Sequence, residues 1–218
     1  MPFEPALYAG FITIAAIAIL SPGPDTVLIL RHTIHSGWRT GAATVAGVQI
    51  GLIAHGLAAA FGLSFLITSI PSALGIIAIL GAIYLIFLAI QQLHGVLILN
   101  DHKSKLKPEG KLTKTSALRS AFITNLLNPK VIMLFVALMP GFISTEHPPI
   151  WLQFTIFAST ILIINTAFQA SLVIIANQAR KLLLHHIAQK TISFITAIIF
   201  IGFAALLIHQ HAFASANL

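Results

Sequence analysis

Apolar residues run along the chain in six blocks, near residues 6–30, 41–63, 72–93, 120–143, 150–176 and 191–208, separated by more polar connectors. A helix needs about 20 such residues to cross the roughly 30 Å of bilayer hydrocarbon, so each block predicts a transmembrane helix. Two blocks break their own pattern. The first carries Ser21-Pro22-Gly23-Pro24-Asp25 between Phe11–Leu20 and Thr26–Leu30, and the fourth carries Thr124-Asn125-Leu126-Leu127-Asn128-Pro129-Lys130 near its middle. Proline removes a backbone donor, so Pro22 frees the carbonyl of Ala18, Pro24 that of Leu20 and Pro129 that of Asn125. Irregular backbone at membrane depth survives only where protein or a water-filled cavity surrounds it. Both blocks therefore read as broken helices that face a cavity.

The basic residues set the topology. Eleven of the 12 lysines and arginines fall in or beside the connectors after the first, third and fifth blocks, and the twelfth is Lys130. The positive-inside rule makes that side cytoplasmic and puts both termini outside the cytoplasm. No lysine or arginine precedes Arg31, so the first block lacks the positive leader of a signal peptide and reads as a retained helix. The connector 94–118 is basic, with five lysines between Lys103 and Lys114 against Asp101 and Glu109, as suits a loop beside an anionic leaflet.

Composition agrees. With 57% hydrophobic and 8% charged residues, the chain has far fewer charges than the roughly 25% of soluble domains. Its net charge of +7 lies in connectors rather than on one face, which excludes a nucleic-acid partner. There are no cysteines, hence no disulfide framework, thiolate metal site or cysteine nucleophile. An enzyme would need a nucleophile beside a base; Ser21 with His55 is the one candidate, and their spacing does not support it. The chain reads as a non-enzyme, with no cofactor and no metal site.

The candidate chemistry lies at the breaks. Asp25 is the only carboxylate inside an apolar block and Lys130 the only ammonium. Intramembrane charges pair with each other or with something that visits, and a central lysine alone costs about 2.5–3.5 kcal/mol. A zwitterion satisfies both, its ammonium at Asp25 and its carboxylate at Lys130; a permanent Asp25–Lys130 lock between helices is the structural alternative. Pro22, Gly23, Pro24 and Pro129 hold the broken backbone, and Asn125, Asn128, Gln49 and His55 are further substrate contacts. Ala43, Gly47 and Gly51 are spaced for close helix approach. Asn165 and Gln169, four apart in the fifth block, suit either inter-helix bonds or a polar cavity wall. Each break opens a set of three blocks. Because three is odd, the second set crosses in the opposite sense, the trace of inverted repeats whose broken helices meet near the midplane. The expected fold is thus an all-α membrane protein of six transmembrane helices in two inverted three-helix repeats, residues 1–93 and 119–218.

The run Ser21-Pro-Gly-Pro-Asp25, then Gly37-x-x-x-Gly41, Gly47-x-x-x-Gly51, His55, Gly62, Gly81-Ala-Ile-Tyr-Leu85 and Asn125-Leu-Leu-Asn-Pro-Lys130 through Pro140, resembles the lysine exporter / homoserine–threonine exporter (LysE/RhtB) superfamily. The resemblance implies a bacterial inner-membrane exporter of small amino acids or related metabolites, driven by the proton gradient, with the lipid bilayer and the substrate as partners and a homo-oligomer left open. Distant relatives credited with divalent-cation export supply the alternative cargo. Asp25 stands where the family often has asparagine, so proton carriage by it is not a family-wide mechanism.

Overall fold

The computed structural model describes residues 4–21, 23–70, 72–98, 112–146, 149–176 and 186–212; Pro22 and most of the basic connector lie outside them. Among the described residues every regular element is helical. Helix α1 (Pro5–Leu20) starts on a proline, whose missing N–H has no partner to lose at a first helical position. The chain turns extended at Ser21 and Gly23, and α2 (Pro24–Ser36) starts on a second proline, bent 50° from α1. Gly37 then reverses the chain at φ +88°, its N–H bonded to Thr33 O at 2.9 Å. Helix α3 (Trp38–Leu57) continues through a π-helical stretch, Ala58–Leu63, into α4 (Ser64–Ser69) as one rod, six residues longer at its far end than the apolar block suggests.

Helix α5 (Ala73–Ile98) precedes the connector. The second half opens with α6 (Lys114–Leu126), capped by Thr113 Oγ1, which accepts from the Ser116 N–H at 3.2 Å. After Asn128 the chain resumes as α7 (Pro129–Met133), widens to a π turn at Leu134–Leu138 and tightens to a 3-10 turn at Met139–Phe142, bent 49° from α6. Helices α8 (Ile150–Ile174) and α9 (His186–Ala212) complete the chain. Trp38–Ser69 and Ile150–Ile174 are each long and apolar enough to cross a membrane, and each bent pair is so as a unit. Within α5 and α9, Gly75–Phe87 and Ala197–Leu206 are shorter apolar stretches.

Missing side chains set how closely these rods pack. A Cβ on Gly47 would lie 2.2 Å from the Leu118 carbonyl oxygen, so α3 touches the backbone of α6 there. A Cβ on Gly81 would lie 2.8 Å from Ala137 Cα, so α5 meets the π turn after α7 in the same way. In lipid, where tails are as apolar as leucine, this close packing replaces the hydrophobic drive between helices. Phe11, fully buried, stacks on Phe157 (4.5 Å between centroids) and meets the edge of Phe142 (5.5 Å), while Phe142 stacks on Phe203 (5.1 Å). This cluster ties α1 to α8, α9 and the end of the bent pair. Buried Gln153 accepts from the Ser144 N–H (3.0 Å) and donates to its carbonyl (2.8 Å), clamping the turn before α8. At the other end of the bundle the Leu112 N–H donates to Ser36 Oγ at 3.1 Å, so the end of α2 and the approach to α6 lie on one side. Large apolar side chains such as Phe61, Phe65, Ile163 and Ile174 point outward, as lipid contact requires.

Gly37 supplies a first test. Nothing lies within 4 Å of a Cβ built on it, so Gly37→Ala costs only backbone strain, about 1–3 kcal/mol. The variant is expected to unfold at lower temperature in detergent, as a thermal melt of the purified protein measures.

Candidate functional site

The two breaks meet inside the bundle. Asp25, in the first turn of α2, is 8% exposed, and its Oδ2 accepts from Asn125 Nδ2 at 2.8 Å and from Asn128 Nδ2 at 3.1 Å. Asn128 also caps α7, its Oδ1 accepting the Lys130 backbone N–H at 3.0 Å, so one side chain both starts the half-helix and holds the carboxylate. The carboxylate favours the positive end of α2 where it sits. Lys130 answers from the other side: its ammonium donates to the Ser21 carbonyl at the end of α1, across Gly23, where a Cβ would come within 3.7 Å of Nζ. A cation there complements the negative end of α1.

Among the described residues Asp25 and Lys130 make no direct ion pair. Each crosses from one break to the other, Asp25 to amides and Lys130 to a backbone carbonyl. The carbonyl that Pro129 was expected to free, on Asn125, accepts instead from the Asn128 N–H at 3.0 Å, because the chain tightens by one residue before turning. The carbonyl left open for a partner belongs to Ser21, whose extended conformation points it out of α1.

These residues line a cavity of about 40 Å³, room for a few waters. Its polar wall is Asp25, Thr26, Asn125, Asn128, Lys130, Asn165 and Gln169; its apolar wall includes Ala18, Ile19, Leu52, Val131, Leu134 and Ile161. Gly23 reaches the cavity, while Pro24 and Pro129 shape the breaks without lining it.

Gln49 and His55 do not line it. Gln49 Nε2 donates to Gln169 Oε1 at 3.1 Å, one step behind the wall, and His55 stacks on Phe135 with centroids 5.7 Å apart. In their place Asn165 and Gln169 of α8 face the cavity; the only sequence signal for them was two polar side chains one turn apart in an apolar block. Gly51 has a role that spacing does not show. A Cβ there would lie 2.4 Å from Asn125 Oδ1, so the bare glycine is the socket in which the Asp25 partner sits.

Five buried side-chain polar atoms among the described residues lack a protein partner: Ser21 Oγ, Asp25 Oδ1, Gln49 Oε1, His55 Nε2 and Asn125 Oδ1. All lie on residues at or next to this site. Buried groups elsewhere in proteins are overwhelmingly paired, so such a cluster calls for an explanation. Three of the five are amide or carboxylate oxygens, and Asp25 Oδ1 belongs to a carboxylate at the cavity. No group of three or more His, Cys, Asp or Glu side chains able to hold a metal occurs among the described residues.

The profile of LysE type translocators matches residues 16–211. The chain is 32% identical over 200 residues to the uncharacterized membrane protein YrhP of Bacillus subtilis, covering 89% of this chain and 94% of that protein. It is 29% identical over 204 residues to a leucine efflux protein of Klebsiella pneumoniae (91% and 92% covered) and 27% identical over 203 residues to one of Salmonella choleraesuis (91% and 92%). No solved structure gives a significant match. Both helix breaks, the cavity between them and nearly all of the described bundle fall inside the matched region, and the chain belongs to the LysE type translocator family, as a multi-pass membrane protein.

Proposed function

We propose that this protein exports small neutral amino acids with aliphatic side chains across the bacterial plasma membrane, in exchange for protons. The observation that carries the reading is Asp25 Oδ1: an acceptor without a protein partner, on a buried carboxylate at a cavity between two helix breaks. A substrate ammonium brings the donors that this oxygen lacks. Proton and ammonium then compete for one atom, which is what exchange requires. The aliphatic wall suits a leucine-like side chain, as do the relatives named for leucine efflux. Lys130 spends one of its three protons on Ser21 and keeps two, with its charge, for the substrate's carboxylate.

Alternating access follows from pairing the halves as two inverted repeats of three spans, α1–α5 and α6–α9, with both termini outside the cytoplasm. The two bends, 50° and 49°, support this pairing. So does the packing: exchanging the halves turns the α3–α6 contact into α8–α1 and leaves α3–α8 and α5–α9 in place. The cavity opens to each side in turn.

Inverted membrane vesicles with an acidic interior provide the test. Labelled leucine is expected to accumulate and to leak away when a protonophore is added. Failure to accumulate any neutral amino acid, or uptake of labelled cadmium in its place, would overturn the reading.

A further inference from the structure

We propose that Asn165 and Gln169 of α8 form the subsite that grips the substrate's carboxylate, with Gln49 of α3 as the positioning residue behind them. The inference rests on the amino-acid reading above and adds a binding role for a helix that carries no charge at the site.

The direction of the amide chain carries the argument. Gln49 Nε2 donates to Gln169 Oε1 at 3.1 Å, and Gln169 Nε2 donates to Asn165 Oδ1 at 3.3 Å. Each primary amide has two N–H donors and one oxygen. Each of these two oxygens thereby accepts one hydrogen bond, and the Asn165 NH₂ group and the second N–H of Gln169 remain to donate. Asn165 is 9% exposed and Gln169 2%, and both line the cavity that Asp25 lines. Asp25, on the same cavity, offers the reverse: its Oδ1 is an acceptor without a protein donor. The cavity wall thus offers an open acceptor at Asp25 and open donors at Asn165 and Gln169.

An amino acid carries its ammonium and its carboxylate on a single carbon and needs that division. Lys130 contributes charge, but one freely rotating ammonium does not orient a planar carboxylate; two fixed amides do, since hydrogen bonds to an ionised acceptor are short and directional. Gln49 holds the Gln169 oxygen, so that the spare Gln169 N–H stays free for the substrate. This also gives Gln49 a task although it does not reach the cavity itself.

Leucine and leucinamide separate the two ends of the ligand, because leucinamide keeps the ammonium and side chain and lacks the carboxylate. Competition against labelled leucine in inverted vesicles is expected to show leucinamide weaker than leucine by about tenfold or more in the wild-type protein. Asn165→Leu and Gln169→Leu are expected to raise the KM for leucine by about tenfold and to leave leucinamide competition unchanged, so that the discrimination disappears. Asn165→Asp keeps the shape and replaces donors by a charge of the wrong sign; it is expected to abolish uptake of labelled leucine and to retain uptake of labelled leucinamide. Gln49→Leu is expected to show the same carboxylate-selective loss in weaker form, whereas a merely structural role would shift both ligands alike. Equal losses for leucine and leucinamide, or none, would overturn the subsite and leave amino-acid export standing. Absence of amino-acid transport in the wild-type protein would remove both.

Discussion

Asp25→Asn is expected to lower leucine export by about a hundredfold or more, because truncating one partner of a buried, hydrogen-bonded charge costs about 2–5 kcal/mol. The geometry leaves the new amide no good orientation. If its nitrogen takes the Oδ2 position, it faces the Nδ2 groups of Asn125 and Asn128, donor against donor. If it takes the Oδ1 position, it presents N–H groups where the substrate's ammonium must dock. Uptake of labelled leucine by inverted vesicles, at equal protein in the membrane, measures the effect; wild-type uptake by the variant would remove Asp25 from the site.

Gly51→Ala is expected to lower leucine export by about tenfold or more, although it adds only a methyl group and touches no charge. The new Cβ would lie 2.4 Å from Asn125 Oδ1 and 3.0 Å from its Cβ and Cγ. Helix α6 can retreat as a body only by giving up its contact one turn earlier, where Gly47 seats its backbone at Leu118. The Asn125 side chain must swing away, and Asp25 keeps Asn128 alone. Loss of a hydrogen bond to a charged group corresponds to about a tenfold or greater fall in transport, and overpacking removes about 1–3 kcal/mol of stability. A double-mutant cycle identifies the route: once Asn125 is alanine, adding Gly51→Ala is expected to cost little more, the non-additivity of groups in contact. Fully additive losses would mean that Gly51 acts elsewhere.

How much of this was legible in the sequence depends on how local the cause is. Prolines and glycine act on their own backbone, so the two breaks stand where Pro22-Gly23-Pro24 and Asn128-Pro129 predict them, with Pro22 itself outside the described residues. An aspartate and a lysine in apolar blocks are costly wherever the helices cross, so their presence at one cavity was foreseeable too. Their partners were not. Asp25 bonds Asn125 and Asn128, and Lys130 bonds the Ser21 carbonyl, because the two bends bring each charge to the opposite helix end; no spacing along one chain segment encodes that crossing. Gln49 and His55 look like substrate contacts in a list of polar residues, yet α3 turns one to Gln169 and the other to Phe135. Asn165 and Gln169 gain their place only because α8 packs along α1, α2 and α3. The π-helical stretches at Ala58–Leu63 and Leu134–Leu138 carry no local signal at all, their residues being ordinary apolar ones.

The absence of cysteine makes the central claim directly measurable. Val131→Cys places a single thiol at the cavity wall between the breaks, next to Lys130. If substrate binds there, leucine slows alkylation of that thiol in a concentration-dependent way and leucinamide does so more weakly, while the single thiol of Ile163→Cys, on the lipid-facing side of α8, reacts at a rate neither ligand alters. Alkylation of the Val131→Cys thiol at the same rate with and without leucine, in a variant that still exports it, would place the transport site elsewhere.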